Sequence, residues 1–92
     1  MEVRASTLEE MREEIRRLDA ALIEILAERL AVVRRIGELK RNQQVPVIDP
    51  AREAAVVAHV ARLARARGLP EDGVRELFWR VMALSRREQN AD

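Results

Sequence analysis

Several residue types are absent or rare in this chain of 92 residues. There is no cysteine, which excludes both a disulfide framework and thiol chemistry. Three glycines and three prolines leave little material for turns, and one phenylalanine, one tryptophan and no tyrosine leave the core to aliphatic side chains. No apolar run approaches the ~20 residues that a membrane-spanning helix needs. The composition therefore predicts one soluble domain built from a few long helices.

Charged residues are abundant but balanced. Seventeen basic and sixteen acidic residues give a formal net charge of +1, which does not favour nucleic acid as a partner. All the basic residues except Lys40 are arginines. The N-terminal stretch up to Glu14 is acidic and polar, unlike a signal peptide, so we expect a cytoplasmic protein.

The first predicted helix is unusually long. Thr7 and Glu10 form a capping box at its start, and the apolar period then runs to about Arg41. Roughly 34 residues at ~1.5 Å each give ~50 Å, which exceeds the roughly 30 Å expected across a globule of this size. Such a helix cannot bury its apolar side against its own short chain, so we expect dimerisation through it.

Two shorter helices follow a predicted loop over 42–48. Asp49 as N-cap and Pro50 at the first helical position begin the second helix, and Gly68 ends it. Pro70 opens the third, which continues to Gln89. Their predicted apolar sides comprise Glu53, Val56, Val57, Val60, Leu63 and Ala64, then Val74, Leu77, Phe78, Val81, Met82, Ser85 and Gln89.

Three cations interrupt the apolar side of the first helix. Arg12, Arg29 and Lys40 lie on a row that steps by three and four residues, which keeps its members on one helical face. A buried charge needs a partner, and no acid on that face obviously serves Arg29 or Lys40. These two are ~16 Å apart along the axis, so their long side chains could hold opposite ends of one small dianion.

Arg12 points to a site shared between two chains. It lies ~25 Å from Arg29 along the helix, too far to reach the same ligand in its own chain. In an antiparallel helix pair whose two-fold axis crosses near Ile23, Arg12 of the partner subunit would lie between Arg29 and Lys40. Two equivalent sites per dimer would result.

Polar residues also lie on the inward sides of the shorter helices. Arg52 and Glu53 occupy the first turn of the second helix, and Ser85 and Gln89 lie one turn apart near the end of the third. An alternative to ligand binding is that these groups pair internally, for example Arg29 with Glu53.

Other chemistries find little support. The single histidine, His59, is interpreted as exposed and without function, and a chain without cysteine argues against zinc. There is no glycine-rich phosphate loop and no triad spacing. Other arginines form a basic C-terminal end to the second helix or solvated faces beside acids: Arg62, Arg65 and Arg67 in the first group, and Arg16-Arg17, Arg34-Arg35 and Arg86-Arg87 in the second.

Taken in order, these fragments resemble the all-helical class of chorismate mutase, the type II family. The resemblance spans about 80 residues and rests on the stretches 11–19, 26–29, 37–40 and 46–53, together with Ser85 and Gln89. It implies a single chorismate mutase domain over 1–92, all-α, with three helices per chain and an intertwined homodimer.

The resemblance implies a role for each cation of the row. Arg29 and Arg12 of the partner subunit would bind the two carboxylates of chorismate. Lys40 would contact a carboxylate and the ether oxygen, and Gln89 would donate to the same ether oxygen. The single lysine fits this role, because an ammonium is a compact charge whereas a guanidinium is a wide planar fork. The implied catalytic residues are thus Lys40, Gln89 and Arg29.

The remaining implied substrate-binding residues lie on the two shorter helices. Glu53 and the Asp49 region would hold the ring hydroxyl, while Arg52 and Ser85 would support the carboxylate end and the polar network of the site. The set Asp49, Arg52 and Glu53 favours the mutase over isochorismate-pyruvate lyase, which shares the fold. A non-catalytic helical dimerisation module remains the alternative from another class.

The implied reaction is the one-step pericyclic rearrangement of chorismate to prephenate in phenylalanine and tyrosine biosynthesis. It requires no metal, cofactor, nucleophile or general base, only positioning and stabilisation of charge on the ether oxygen. Because Gln89 is a neutral amide, we expect kcat to vary little between about pH 5 and 9. Some short members of the family improve with a partner enzyme of the same pathway, and such a partner is also an expectation here.

Overall fold

The computed structural model describes residues 7–89, which form three α-helices and no β-strand. α1 spans Leu8–Asn42, α2 spans Pro50–Ala66 and α3 spans Glu71–Gln89. The all-α class, the three helices and the long first helix are therefore confirmed. The chain divides into two compact units between Ala31 and Val32, and the assignment of 1–92 to a single domain stays a prediction.

The capping box at the start of α1 is present. The Thr7 backbone N–H donates to Glu10 Oε1 at 2.8 Å, and the Glu10 N–H donates to Thr7 Oγ1 at 3.0 Å. Each side chain thus satisfies a backbone donor that has no carbonyl within the helix. The acidic first turn and the basic last turn, with Lys40 and Arg41, also complement the helix dipole.

α2 begins as its sequence predicts. Asp49 is extended, with φ −132° and ψ 94°, and Pro50 occupies the first turn, where its missing N–H leaves no donor unsatisfied. The Asp49 carboxylate accepts from the Arg52 backbone N–H at 3.1 Å. This contact caps α2 and fixes the direction in which the chain leaves the preceding loop.

α2 ends in a left-handed turn at Gly68. The Leu69 N–H donates to the Ala64 carbonyl at 2.8 Å, and the Gly68 N–H donates to the Arg65 carbonyl at 3.2 Å. This pair of bonds is a Schellman motif, and Gly68 adopts the positive φ of 72° that the motif requires. The predicted helix stop is confirmed.

α1 ends in the same motif without a glycine. Val45 N–H donates to the Lys40 carbonyl at 3.0 Å, and Gln44 N–H donates to the Arg41 carbonyl at 3.1 Å. Gln44 therefore carries the positive φ, 59°, a conformation that is unfavourable for residues with a Cβ. The loop predicted over 42–48 forms, with Asn42 as the last helical residue.

The core of the second unit is small and aliphatic. α2 and α3 pack together, and the last turns of α1 contribute Val33 and Gly37 to the buried set. The buried residues on α2 and α3 are Val57, Val60, Ala61, Ala64, Met82 and Ser85.

Two of the predicted apolar positions were wrong. Leu63 is 51% exposed and Leu77 is 56% exposed. α2 buries the row Val57, Ala61 and Ala64, whose members step by three and four residues, and Leu63 lies about 100° away from Ala64 around the axis. Small alanines at the helix contact allow the backbones to approach, which places the larger leucine outside it.

The first part of α1 exposes its apolar residues. Ile15, Leu22 and Ile25 are 57%, 64% and 62% exposed, and Leu8, Met11, Leu18 and Ile23 are exposed as well. Members such as Met11, Ile15, Leu18, Leu22 and Ile25 step by three and four residues and so share one helical face. This exposed row agrees with the expectation that the chain does not cover α1 by itself. No helix within residues 7–89 combines the length and the apolar character that a membrane crossing needs.

Candidate active site

Lys40 lines a pocket between the end of α1 and the start of α2. The pocket has a volume of about 330 Å³, and its lining consists of Lys40, Val45, Pro46, Ile48, Asp49 and Pro50. Lys40 is half-buried, and its Nζ donates to the Val47 carbonyl at 3.3 Å. Among residues 7–89 no carboxylate forms an ion pair with it. The structure thus brings two predicted site residues, Lys40 and Asp49, to one cavity.

Asp49 already has a structural task as the cap of α2. Its Oδ1 accepts from the Arg52 backbone N–H, which leaves Oδ2 for other partners. Both Asp49 and Arg52 are exposed. The Arg52 guanidinium makes no contact with another side chain in the described part of the chain.

Glu53 forms a bidentate ion pair with Arg86 of α3. Arg86 Nε lies 2.9 Å from Glu53 Oε2, and Arg86 Nη2 lies 2.5 Å from Glu53 Oε1. The hydrogen bonds from Arg86 lower the pKa of the Glu53 carboxyl below its usual value, against the opposing effect of burial. Glu53 is therefore an ionised acceptor with a fixed orientation.

This pair corrects two parts of the sequence interpretation. The acid that the internal-pairing alternative assigned to Arg29 is held by Arg86. Arg86 itself was placed on a solvated face, and so was Arg34, whose Nε lies 2.5 Å from Glu88 Oε1 of α3. Both arginines instead join α3 to another helix. No local pattern indicated these contacts, because each pair depends on how two helices are aligned.

Ser85 and Gln89 lie on the inward side of α3, as expected. Ser85 is 6% exposed, and its Oγ donates to the Val81 carbonyl at 2.8 Å. Gln89 is half-buried at the end of the helix, and its backbone carbonyl accepts from Arg41 Nη1. The side-chain amide of Gln89 has no partner among residues 7–89.

Arg12 and Arg29 belong to the first unit of the chain, whereas the other predicted site residues belong to the second. Arg12 is exposed and Arg29 is half-buried. Their meeting with Lys40 at one ligand stays a prediction. Also exposed is His59, as its interpretation required, and the described residues contain no cluster of His, Asp or Glu that could hold a metal ion.

The α2–α3 hairpin has a charged group at each end. We call Arg65, Glu71, Asp72 and Arg75 the turn end, and Lys40, Asp49, Glu53 and Arg86 the open end. At the turn end, Arg65 Nε lies 2.8 Å from Glu71 Oε2, and Arg75 contacts both acids. These hydrogen bonds lower the pKa of Glu71, chiefly through Arg65.

Residues 11–90 match the family described as chorismate mutase type II. The chain belongs to this family. The family assignment agrees with the three-helix architecture and with the resemblance noted in the sequence. No solved structure was found to match the chain significantly.

Three curated relatives indicate how the family uses this domain. The chain is 36% identical over 80 residues to a T-protein of Enterobacter agglomerans, covering 87% of this chain and 21% of the relative. It is 39% identical over 71 residues to a 4-amino-4-deoxychorismate mutase of Streptomyces pristinaespiralis, covering 77% and 55%. It is 38% identical over 56 residues to a bifunctional chorismate mutase/prephenate dehydratase of Aquifex aeolicus (strain VF5), covering 61% and 16%. The chain thus spans about half of the length of these relatives or less.

Proposed function

We propose that this chain is a chorismate mutase that converts chorismate to prephenate in the biosynthesis of phenylalanine and tyrosine. Family membership supports the reaction, and the relatives named above favour it over isochorismate-pyruvate lyase and over a non-catalytic dimerisation module. The reaction would need no cofactor, and we place it in the cytoplasm.

The observation that carries the proposal is the state of Lys40. Three cationic residues of the described chain are half-buried: Arg29, Lys40 and Arg75. Arg75 is neutralised by Glu71 and Asp72, while Lys40 meets a single carbonyl oxygen in a pocket. A partly desolvated ammonium is poorly compensated by one neutral acceptor, so an anionic ligand is the partner that this pocket favours.

The reaction sets two tasks for the site. The enolpyruvyl side chain must be held over the ring, and negative charge must be stabilised on the ether oxygen as the C–O bond breaks. Arg29, Lys40 and Arg12 of the partner subunit would hold the two carboxylates. Lys40 and Gln89 would donate to the ether oxygen, and the unpartnered Gln89 amide is free to do so.

The polar residues of α2 and α3 would fix the ring. A hydroxyl group donates to an ionised carboxylate, and Glu53 is held ionised and oriented by Arg86. Asp49 could accept through the oxygen that does not cap α2. Arg52 and Ser85 would support the carboxylate end of the substrate.

We further propose an antiparallel homodimer formed through α1. The exposed row in the first part of this helix offers a continuous apolar face, and large exposed apolar surfaces mark sites of association. Dimerisation would also bring Arg12 into the partner's site. A partner enzyme of the same pathway is a further proposal, supported by the fused dehydratase named in the Aquifex relative.

One assay tests the reaction. The purified chain is incubated in parallel with chorismate, isochorismate and 4-amino-4-deoxychorismate, and the products are identified. We expect prephenate from chorismate as the fastest conversion. Pyruvate release from isochorismate would establish the lyase instead, faster turnover of the amino compound would reassign the substrate, and no conversion at all would favour the dimerisation module.

Mixed dimers test the shared site. Arg12→Ala and Arg29→Ala should each lose most activity alone, because each removes one carboxylate contact from both sites. After the two variants are mixed and allowed to exchange subunits, half of the dimers carry one intact site, so activity should recover to about a quarter of the parent value. Absence of recovery in a mixture shown to contain heterodimers would contradict a site that takes Arg12 from the partner.

A further inference from the structure

The last turns of α1 hold the last turn of α3. Arg34, Gly37 and Arg41 are spaced by three and four residues on α1 and so share one helical face. Each meets α3 at Glu88 or Gln89. Gln89, one of the two proposed donors to the ether oxygen, is therefore anchored by groups that would not touch the substrate.

Gly37 provides room for this contact. A Cβ at position 37 would lie 2.8 Å from the Gln89 carbonyl oxygen and 3.2 Å from the Gln89 Cα. Both neighbours are backbone atoms, which cannot rotate away as a flexible side chain could. Any residue other than glycine would push the end of α3 away from α1.

Arg41 and Arg34 supply the attraction. The carbonyl of Gln89 is among the last four of α3, which have no N–H partner inside the helix. Arg41 Nη1 donates to this carbonyl, and Arg34 pairs with Glu88 one residue earlier. The same guanidinium of Arg41 lies 3.3 Å from the position that a Cβ on residue 37 would occupy, so the contact and the hydrogen bond form one tight junction.

We propose that Gly37 and Arg41 are positioning residues that set the place of the Gln89 amide relative to the Lys40 ammonium. Lys40 lies three residues after Gly37 and one before Arg41 on the same helix, so one rigid helical segment carries the first donor and fixes the backbone of the second. This inference rests on the proposed function, because it assumes that Gln89 and Lys40 act on one substrate.

The deciding experiment is a double-mutant cycle on kcat for chorismate. Gly37→Ala in the parent chain should lower kcat about 10- to 100-fold, the size expected when a catalytic group is displaced by ~1 Å. In a Gln89→Ala background the same substitution should change kcat by no more than about twofold, because no amide remains to be displaced. A merely structural role would reduce kcat equally in both backgrounds, and that result would overturn the proposal.

Two further variants keep the test decisive. Gly73→Ala is the matched control, since a Cβ there would meet the Pro70 side chain at an ordinary 3.7 Å, and it should leave kcat unchanged. Arg41→Ala replaces Gly37→Ala if the latter does not fold, and should show the same dependence on Gln89, with partial recovery in Arg41→Lys. Equal losses from Arg41→Ala in both backgrounds would overturn the proposal, whereas an inactive parent chain would instead reject the proposed function.

Discussion

The two ends of the α2–α3 hairpin carry similar charged residues and use them differently. At the turn end Arg65 and Arg75 each have a carboxylate partner from Glu71 or Asp72. At the open end Arg86 is paired with Glu53, but Lys40 faces a pocket and meets one carbonyl. A charge that is already neutralised has little to offer a ligand. The difference between the two ends is therefore what distinguishes the candidate site from ordinary surface charge.

The turn end also has a cavity, and the comparison shows why we do not assign it a ligand. Its volume is about 620 Å³, larger than that at the open end, and its lining consists of Arg65, Gly68, Leu69, Pro70, Glu71, Asp72 and Arg75. Every charged group in this lining has a partner within the lining. Size alone would select the wrong end, whereas the unpaired charge selects the open end.

Removing the unpaired cation should have the largest effect. We expect Lys40→Ala to lower kcat for chorismate by about 10²- to 10³-fold, the usual loss when one preorganised donor is removed from a transition state. Arg75→Ala is the matched control at the turn end and should leave kcat near the parent value. Steady-state rates with circular dichroism of each variant provide the measurement. Equal losses in the two variants would abolish the distinction between the ends.

Acid should weaken both ends, and the open end more strongly. The pKa values of Glu53 and Glu71 are lowered in the folded chain by hydrogen bonds from Arg86 and Arg65 respectively. A carboxyl with a lowered folded pKa stabilises the fold above its ordinary pKa of about 4.5, and this stability is lost as the pH falls through the lowered value. The Glu53 side chain is 12% exposed against 27% for Glu71, so water screens its ion pair less.

Urea unfolding at two pH values measures this difference. At pH 7, Glu53→Gln should lower the urea midpoint more than Glu71→Gln. Near pH 3 both variants should approach the midpoint of the parent, because the parent carboxyls are then becoming protonated as well. A midpoint difference that persists unchanged in acid would mean that the carboxylate charge is not what stabilises either end.

The smallest expected effect concerns the helix stops beside the two ends. The motif that ends α2 has Gly68 at its left-handed position, whereas the one that ends α1 has Gln44. Gln44→Gly should stabilise the fold by about 0.5 kcal/mol, since relief of left-handed strain exceeds the added freedom of the unfolded chain. Gly68→Ala should destabilise it by about 1 kcal/mol for the opposite reason. Thermal unfolding of both variants would test the pair, and a destabilising Gln44→Gly would contradict it.

Sequence predicts the local features of this fold well and the contacts between helices poorly. The capping box of Thr7 and Glu10, the Asp49 cap and the Gly68 stop each depend on residues close together in the chain, and all are confirmed. The ion pairs of Glu53 and Arg34 join residues 33 and 54 positions apart. Their formation depends on the alignment of one helix against another, which local patterns do not encode.

The candidate site shows the same division. The cationic row on α1 is visible in the sequence because helical periodicity makes Lys40 an anomaly among apolar residues. The role of Gly37 is not visible, because a glycine within a helix is distinguished only by the backbone that packs against it. Gln44 was missed for a related reason, since glutamine carries no turn preference and the tertiary fold imposes its conformation.

The exposed apolar row of α1 makes the protein's own concentration a determinant of its activity. If two chains must associate before Arg12 can reach a substrate, a dilute solution contains mostly chains that lack one carboxylate contact. Specific activity should then fall on dilution, and it should be restored by substrate, which binds the associated form more tightly and draws chains together. An enzyme built this way would be active at the protein levels of a cell while an assay at high dilution could record it as sluggish.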